Sequence, residues 1–189
     1  MIPDATLASF VRFIQETEAL KSTLRTAWSA SGRQESTAEH SWRLALFASL
    51  FEADNPGLDW KKILVMCLIH DLGELYEGDI SAAAHPDEDE KYREERRAAE
   101  KVFSLLPEDI ASRYLAIWQE YNDNATPEAH LVKALDKAET IIQHNQGKNP
   151  DNFDYAFNLE YGKTLFDDRG TLSRLRKLID AVTTSKTGK

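Results

Sequence analysis

The sequence has a single cysteine, Cys67, in 189 residues, so no disulfide can close within the chain. No apolar run approaches the roughly 20 residues that a membrane-spanning helix needs. Basic residues are in the minority: 23 Lys and Arg face 32 Asp and Glu, a formal net charge of −9. That balance argues against a broad surface for nucleic acid polymers, which would need clustered positive charge. It leaves room for a small phosphorylated substrate held by a cation and one or two arginines. Only six Pro and eight Gly interrupt the chain, few enough to allow long helices. The opening Met1-Ile2-Pro3-Asp4 lacks the basic region and apolar core of a signal peptide. Together these features predict a cytoplasmic protein with no membrane association.

What is present is a sizeable apolar fraction, 42%, beside 29% charged residues. Length and composition fit one folded domain, with a core over about residues 4–183 and a mobile tail at about 184–189. Helical periodicity dominates. Leu7, Phe10, Val11, Ile14, Leu20 and Leu24 mark an amphipathic helix over 4–24. Residues 25–33 break the pattern with small residues and a glycine and are expected to form a loop. Ser36-Thr37-Ala38-Glu39 has capping-box spacing and opens a helix with His40 in its first turn. Asn55-Pro56-Gly57 is a turn, after which Asp59 caps the next helix. Gly73 and Gly78 weaken that helix, which is expected to end between them and let Asp79 fold back toward Asp71. Residues 81–87 form a connector, and 88–106 a solvated helix with an apolar stripe, Glu94, Glu95 and Glu100 being taken as surface charges. Pro107 opens another helix. Thr126-Pro127-Glu128 starts one that reaches about Gln146-Gly147. An aromatic-rich stretch over 153–166 and a last helix over 171–183 complete the chain. No strand pairs and no repeats are expected.

The chemistry concentrates around Ile63-Leu64-Val65-Met66-Cys67-Leu68-Ile69-His70-Asp71-Leu72-Gly73-Glu74. An apolar helical run delivers an imidazole and two carboxylates at its end. His70 and Glu74 are four apart and Asp71 and Glu74 three apart, so both pairs are helical neighbours. Buried groups of this kind must be paired, hydrogen-bonded or metal-bound. Asp136, flanked by Leu135 and Ala138, is a second acid in an apolar pattern; an ion pair with Lys133 or Lys137 is its plainest explanation. With His40, these residues make a mixed nitrogen and oxygen set, His40, His70, Asp71 and Asp136, suited to one divalent cation such as Mn, Fe, Co, Ni or Zn.

The order His, His-Asp, Asp resembles the HD-domain phosphohydrolase superfamily. Glu39-His40-Ser41, His70-Asp71-Leu72-Gly73-Glu74, Gly78-Asp79-Ile80 and Lys133-Ala134-Leu135-Asp136-Lys137 are similar to its 5′-deoxynucleotidase branch, over about residues 20–145. The resemblance implies an all-α, single-domain HD helical bundle, usually a homodimer. It implies one divalent metal (Mn, Co, Fe, Mg, Ni or Zn) on His40, His70, Asp71 and Asp136, and catalytic roles for Glu74 and Asp79. Arg25 and Trp28 look like the arginine and tryptophan that precede the first ligand histidine in that branch and would bind substrate. Ser81-Ala82-Ala83-Ala84 departs from the branch, having neither its lysine nor its threonine.

The expected activity is hydrolysis of nucleoside or deoxynucleoside 5′-monophosphates to nucleoside and phosphate. The cation would neutralise phosphate charge and acidify water, and Arg25 would clamp the phosphate. Glu74 and Asp79 would share the handling of water and leaving group in an order the sequence leaves open. The alternatives are a phosphodiesterase or a hydrolase of pyrophosphorylated nucleotides on the same fold, or a non-catalytic nucleotide-binding module with a structural metal. A two-metal site would draw on His85, His130 or His144, with His85 best placed.

Overall fold

A computed structural model describes residues 1–84, 87–166 and 170–187. Within these residues the chain forms eight α-helices and one two-stranded antiparallel ribbon. The helices are α1 (Asp4–Glu16), α2 (Thr37–Ser49), α3 (Trp60–Ile69), α4 (Glu88–Phe103), α5 (Glu108–Asn122), α6 (Pro127–Gln146), α7 (Phe157–Glu160) and α8 (Thr171–Thr184). The architecture is all-α, as the periodicity predicts. No helix among the described residues is long and apolar enough to cross a membrane.

Local chemistry sets the helix starts. Ser36 accepts from the Glu39 backbone N–H while the Glu39 carboxylate accepts from the Ser36 N–H, a complete capping box. Asp59 caps α3 through the Lys62 N–H, and Thr126 caps α6 through the Ala129 N–H, with Pro127 in the first turn.

α6 is the central element. Ala129, Val132, Ala134, Leu135, Ala138 and Ile141 are fully buried on it, and it packs against α2, α3, α5, α8 and the ribbon. Val102, Phe103, Trp118, Leu44, Ile63 and Met66 fill the rest of the core. Phe103 and Phe13 stack with centroids 6.4 Å apart, fastening α1 to α4. At the far end Thr183 is buried and donates to Asn145 of α6. The chain remains helical to Thr184, one residue past the expected end, and Gly188 and Lys189 of the expected tail lie outside the described residues.

Three local features differ from expectation. α1 stops at Glu16 and a 3₁₀ stretch covers Thr17–Lys21. The expected loop at 25–33 is confined to 29–33, and a strand pair forms where none was expected: β1 (Leu24–Trp28) pairs with β2 (Gln34–Ser36) across a tight turn with Gly32 at φ +86°. Glycine adopts that left-handed backbone without steric cost. Third, α3 ends at Ile69, before Gly73, and His70–Glu74 is wound as a 3₁₀ turn. The Trp118 indole N–H captures the His70 carbonyl at 2.9 Å, so that oxygen is satisfied by α5. Gly73 then lies against α4: a Cβ there would fall 2.9 Å from the Glu95 carbonyl oxygen. Its value is close approach, which brings α4 over the His-Asp turn.

Candidate active site

The fold brings His40, His70, Asp71 and Asp136 together from α2, the turn after α3, and α6. His40, in the first turn of α2, is fully buried. Its Nε2 lies 3.1 Å from Asp136 Oδ1 and 3.8 Å from Asp71 Oδ2. His70 Nε2 lies 3.1 Å from Asp71 Oδ1, and the two imidazoles sit 5.4 Å apart. His40, His70 and Asp71 each offer a donor atom within 4.8 Å of the others.

The other ring nitrogens show how the histidines are aimed. His70 Nδ1 faces the Cys67 carbonyl at 2.9 Å. A carbonyl only accepts, so Nδ1 carries the proton and Nε2 presents a lone pair. His40 Nδ1 is 2.5 Å from Glu139 Oε2 and is held the same way. Both Nε2 atoms are buried without a hydrogen-bond partner. Two bare imidazole nitrogens converging on two carboxylates fit a divalent cation. Burial and Arg25 would lower the His40 pKa, but Glu139 and Asp136 outweigh them and push it up to about 10. Burial would raise Asp71, yet His70, His40 and Arg25 hold it well below the usual carboxylate range. Asp136 is held low too: Lys137 and the two histidines overcome the effect of burial.

Beside these groups lies a cavity of about 440 Å³ lined by residues from β1, the His-Asp turn, α4, α5, α6 and α7. Arg25 reaches in from β1. Its Nη2 donates to Thr140 Oγ1 at 3.1 Å, and its Nη1 lies 3.5 Å from Asp71 Oδ2. Burial opposes its charge, but Asp71, Asp79, Asp136 and Glu74 outweigh it and keep the guanidinium ionised. Glu74 is buried on the cavity wall, with Oε2 accepting from the Thr37 hydroxyl at 3.3 Å. Burial first, then the charges of Asp71 and Asp79, push its carboxyl well above the usual range. Asp79 lines the same cavity, past the 3₁₀ turn.

Trp28 is not among the residues that line this cavity. The Trp28 ring packs edge-on against Phe153. The plain ion pair expected for Asp136 forms with Lys137, at 2.9 Å, while Lys133 donates to the Tyr121 and Asn122 carbonyls. Of the spare histidines, His130 is placed away from the cavity against Asn124, and His144 lines it with Nδ1 on Asn158. His85 lies outside the described residues. Glu95, expected on the surface, lines the cavity with Lys91.

Several contributors were not singled out in the sequence. Glu139 accepts a hydrogen bond from His40 Nδ1. The Tyr121 hydroxyl donates to Asp136 Oδ2 at 2.7 Å, and Trp118 takes the His70 carbonyl. Glu139 had a visible signal, an acid three residues after Asp136 in an apolar helix. Tyr121 and Trp118 had none, since their spacing is that of ordinary inward aromatics.

Comparison with known proteins gives the family. A family model described as HD domain matches residues 17–173. The chain belongs to the HD-domain family. A 5′-deoxynucleotidase of Mus musculus is 32% identical over 147 residues, covering 77% of this chain and 73% of that protein. Its counterpart from Homo sapiens is 32% identical over 156 residues, covering 77% and 76%. Among solved HD-like structures, a predicted metal-dependent phosphohydrolase from Magnetospirillum magnetotacticum is 30% identical, with TM-score 0.78 over 98% of each chain.

Proposed function

We propose that this HD-domain protein is a metal-dependent phosphomonoesterase that hydrolyses nucleoside 5′-monophosphates, deoxyribonucleotides among them, to nucleoside and phosphate. The observation that carries this reading is the pair of bare, buried histidine nitrogens facing Asp71 and Asp136 beside a cavity that also holds Arg25 and the buried Glu74. The similarity to 5′-deoxynucleotidases supports the substrate class. The cavity volume falls within the range of small-ligand sites.

In this reading His40, His70, Asp71 and Asp136 hold one divalent cation. The chemistry such a cation supplies when bound is neutralisation of phosphate charge and acidification of water toward neutral pKa. Arg25 binds a phosphate oxygen; Thr140 fixes its guanidinium on one side and Asp71 lies close on the other. Asp79 orients the attacking water by accepting a hydrogen bond. As the new P–O bond forms and the bond to the 5′-oxygen breaks, Asp79 takes a proton from the attacking water and Glu74 donates its proton to the departing oxygen; return of the proton from Asp79 to Glu74 through solvent restores the site. Burial and its acidic neighbours keep that proton in place beforehand.

A homodimer in the cytoplasm completes the proposal. Trp42 and Leu46 on α2, Leu50 just past its end, and Leu64 and Leu68 on α3 are exposed beside one another on two helices that pack together, a surface suited to a second copy. The only cysteine is buried and unpaired, in keeping with a reducing compartment. Sedimentation of the wild type and of a Trp42→Glu, Leu46→Glu variant tests the dimer. A monomeric wild type removes it. Phosphate release from nucleoside monophosphates, by protein reloaded with single metals, tests the activity.

A further inference from the structure

Glu139 is 1% exposed, sits one helical turn after Asp136 on α6, and does not line the cavity. Its Oε2 is 2.5 Å from His40 Nδ1, and its Oε1 is 3.0 Å from Arg43 Nη1. A carboxylate this deep is expensive to bury unless its charge is used. Here both oxygens face cationic or proton-bearing groups. Glu35, His40 and Glu139 also form a compact set of possible metal donors. The 2.5 Å contact excludes a cation between His40 and Glu139, because two ligand bonds of about 2.0–2.2 Å need more room than that separation allows. The contact is a hydrogen bond, with the imidazole N–H donating.

We propose that Glu139 is the positioning residue of the metal centre: by accepting the His40 Nδ1 proton it fixes the tautomer and ring orientation that turn the bare Nε2 toward Asp71 and Asp136. The inference rests on His40 being a metal ligand. α6 then supplies two parts of one centre, Asp136 directly and His40 indirectly through Glu139, at a spacing of three residues that puts both on one helix face. Arg43 Nη1 lies 3.0 Å from the second carboxylate oxygen, a charge neighbour that favours the ionised form but makes no hydrogen bond to it. His70 needs no such residue, because the Cys67 carbonyl does the same for it. The asymmetry has a structural cause. His70 ends a helix and can reach a carbonyl three residues back, whereas His40 opens one and turns its Nδ1 to another helix.

The test uses the full chain, stripped of metal and titrated with Co²⁺, comparing wild type with Glu139→Gln, Glu139→Asp and His40→Ala. Calorimetry gives the affinity, visible absorption reports the ligand field, and thermal melting of the metal-free proteins reports structure alone. Glu139→Gln is expected to bind Co²⁺ about 10–100-fold more weakly with an altered spectrum, the usual cost of losing such a partner. Glu139→Asp, which keeps the charge, recovers part of the loss. A purely structural role would lower the metal-free melting point and leave affinity and spectrum unchanged. That outcome, with His40→Ala losing metal, overturns the positioning role and leaves the ligand assignment standing. Wild-type affinity in His40→Ala overturns the ligand assignment and the inference with it. Should Glu139→Gln not fold, nitrogen-15 spectra of the Zn²⁺-loaded wild type decide. A proton on His40 Nδ1 with metal on Nε2 is expected; metal on Nδ1 overturns the proposal.

Discussion

Glu74→Gln removes one proton and almost no volume. The carboxyl is buried and faces Asp71 and Asp79, so in the metal-free protein it stays protonated well above its ordinary range. As the proton donor to the 5′-oxygen, it accounts for a rate factor of about 10²–10⁴, or about 3–5 kcal/mol of barrier. Glu74 is not among the groups placed to hold the cation. Metal content and KM are therefore expected to stay close to wild type while kcat falls by that factor. The variant also bears on stability. A carboxyl whose folded pKa is raised contributes most below its unfolded pKa, and that contribution is lost as pH rises toward the folded value. Metal-free Glu74→Gln should therefore lose less stability than metal-free wild type as pH rises above the ordinary carboxylate range. A bound cation at Asp71 offsets part of the repulsion, so the metal-free proteins give the cleaner comparison. The assays are steady-state phosphate release, metal counting and melting curves across pH. Turnover within threefold of wild type, with metal bound, would refute the reasoning.

Three further outcomes follow from the same contacts. Gly73→Ala places a Cβ 2.8 Å from the Glu95 Cβ, so α4 must shift; a loss of about 1–3 kcal/mol in denaturant unfolding is expected, along with reduced activity. Tyr121→Phe removes the hydroxyl that holds Asp136 Oδ2, and calorimetry should show metal affinity reduced by about tenfold or more. The Arg33 and Ser36 contacts lower the Glu39 carboxyl from 4.5 to about 2. Its contribution is thus present above the unfolded pKa and fades as pH falls toward about 2. Glu39→Gln should flatten that part of the acid-unfolding curve by a small amount, since the Arg33 pair is exposed to solvent.

What could be read in advance divides along physical lines. Helix starts set by local chemistry, at Ser36, Asp59 and Thr126, were legible because the capping atoms lie within three residues of one another. The His70-Asp71 pair and Asp136 stood out because acids and imidazoles in apolar helices need partners. The β1–β2 ribbon was hidden: its strands are short, and β2 carries little apolar pattern. The tightening after Ile69 depends on Trp118, a residue 48 positions away, so no local rule announces it. The packing of Trp28 on Phe153, a residue far along the chain, could not be read from its nearness to Arg25. Glu139 and Tyr121 act through groups on other helices or later turns, and only tertiary packing shows what they touch.

The central claim is tested most directly by stripping the protein of metal and reloading it separately with Mn, Co, Mg and Zn. Cations per chain are then counted while phosphate release is measured from ribo- and deoxyribonucleoside 5′-monophosphates. Release that requires metal, at one cation per chain, and that disappears with the cation in a His70→Ala variant is the expected result. Turnover of a diester or a pyrophosphorylated nucleotide with none of the monophosphates, or release that persists without metal, would contradict it.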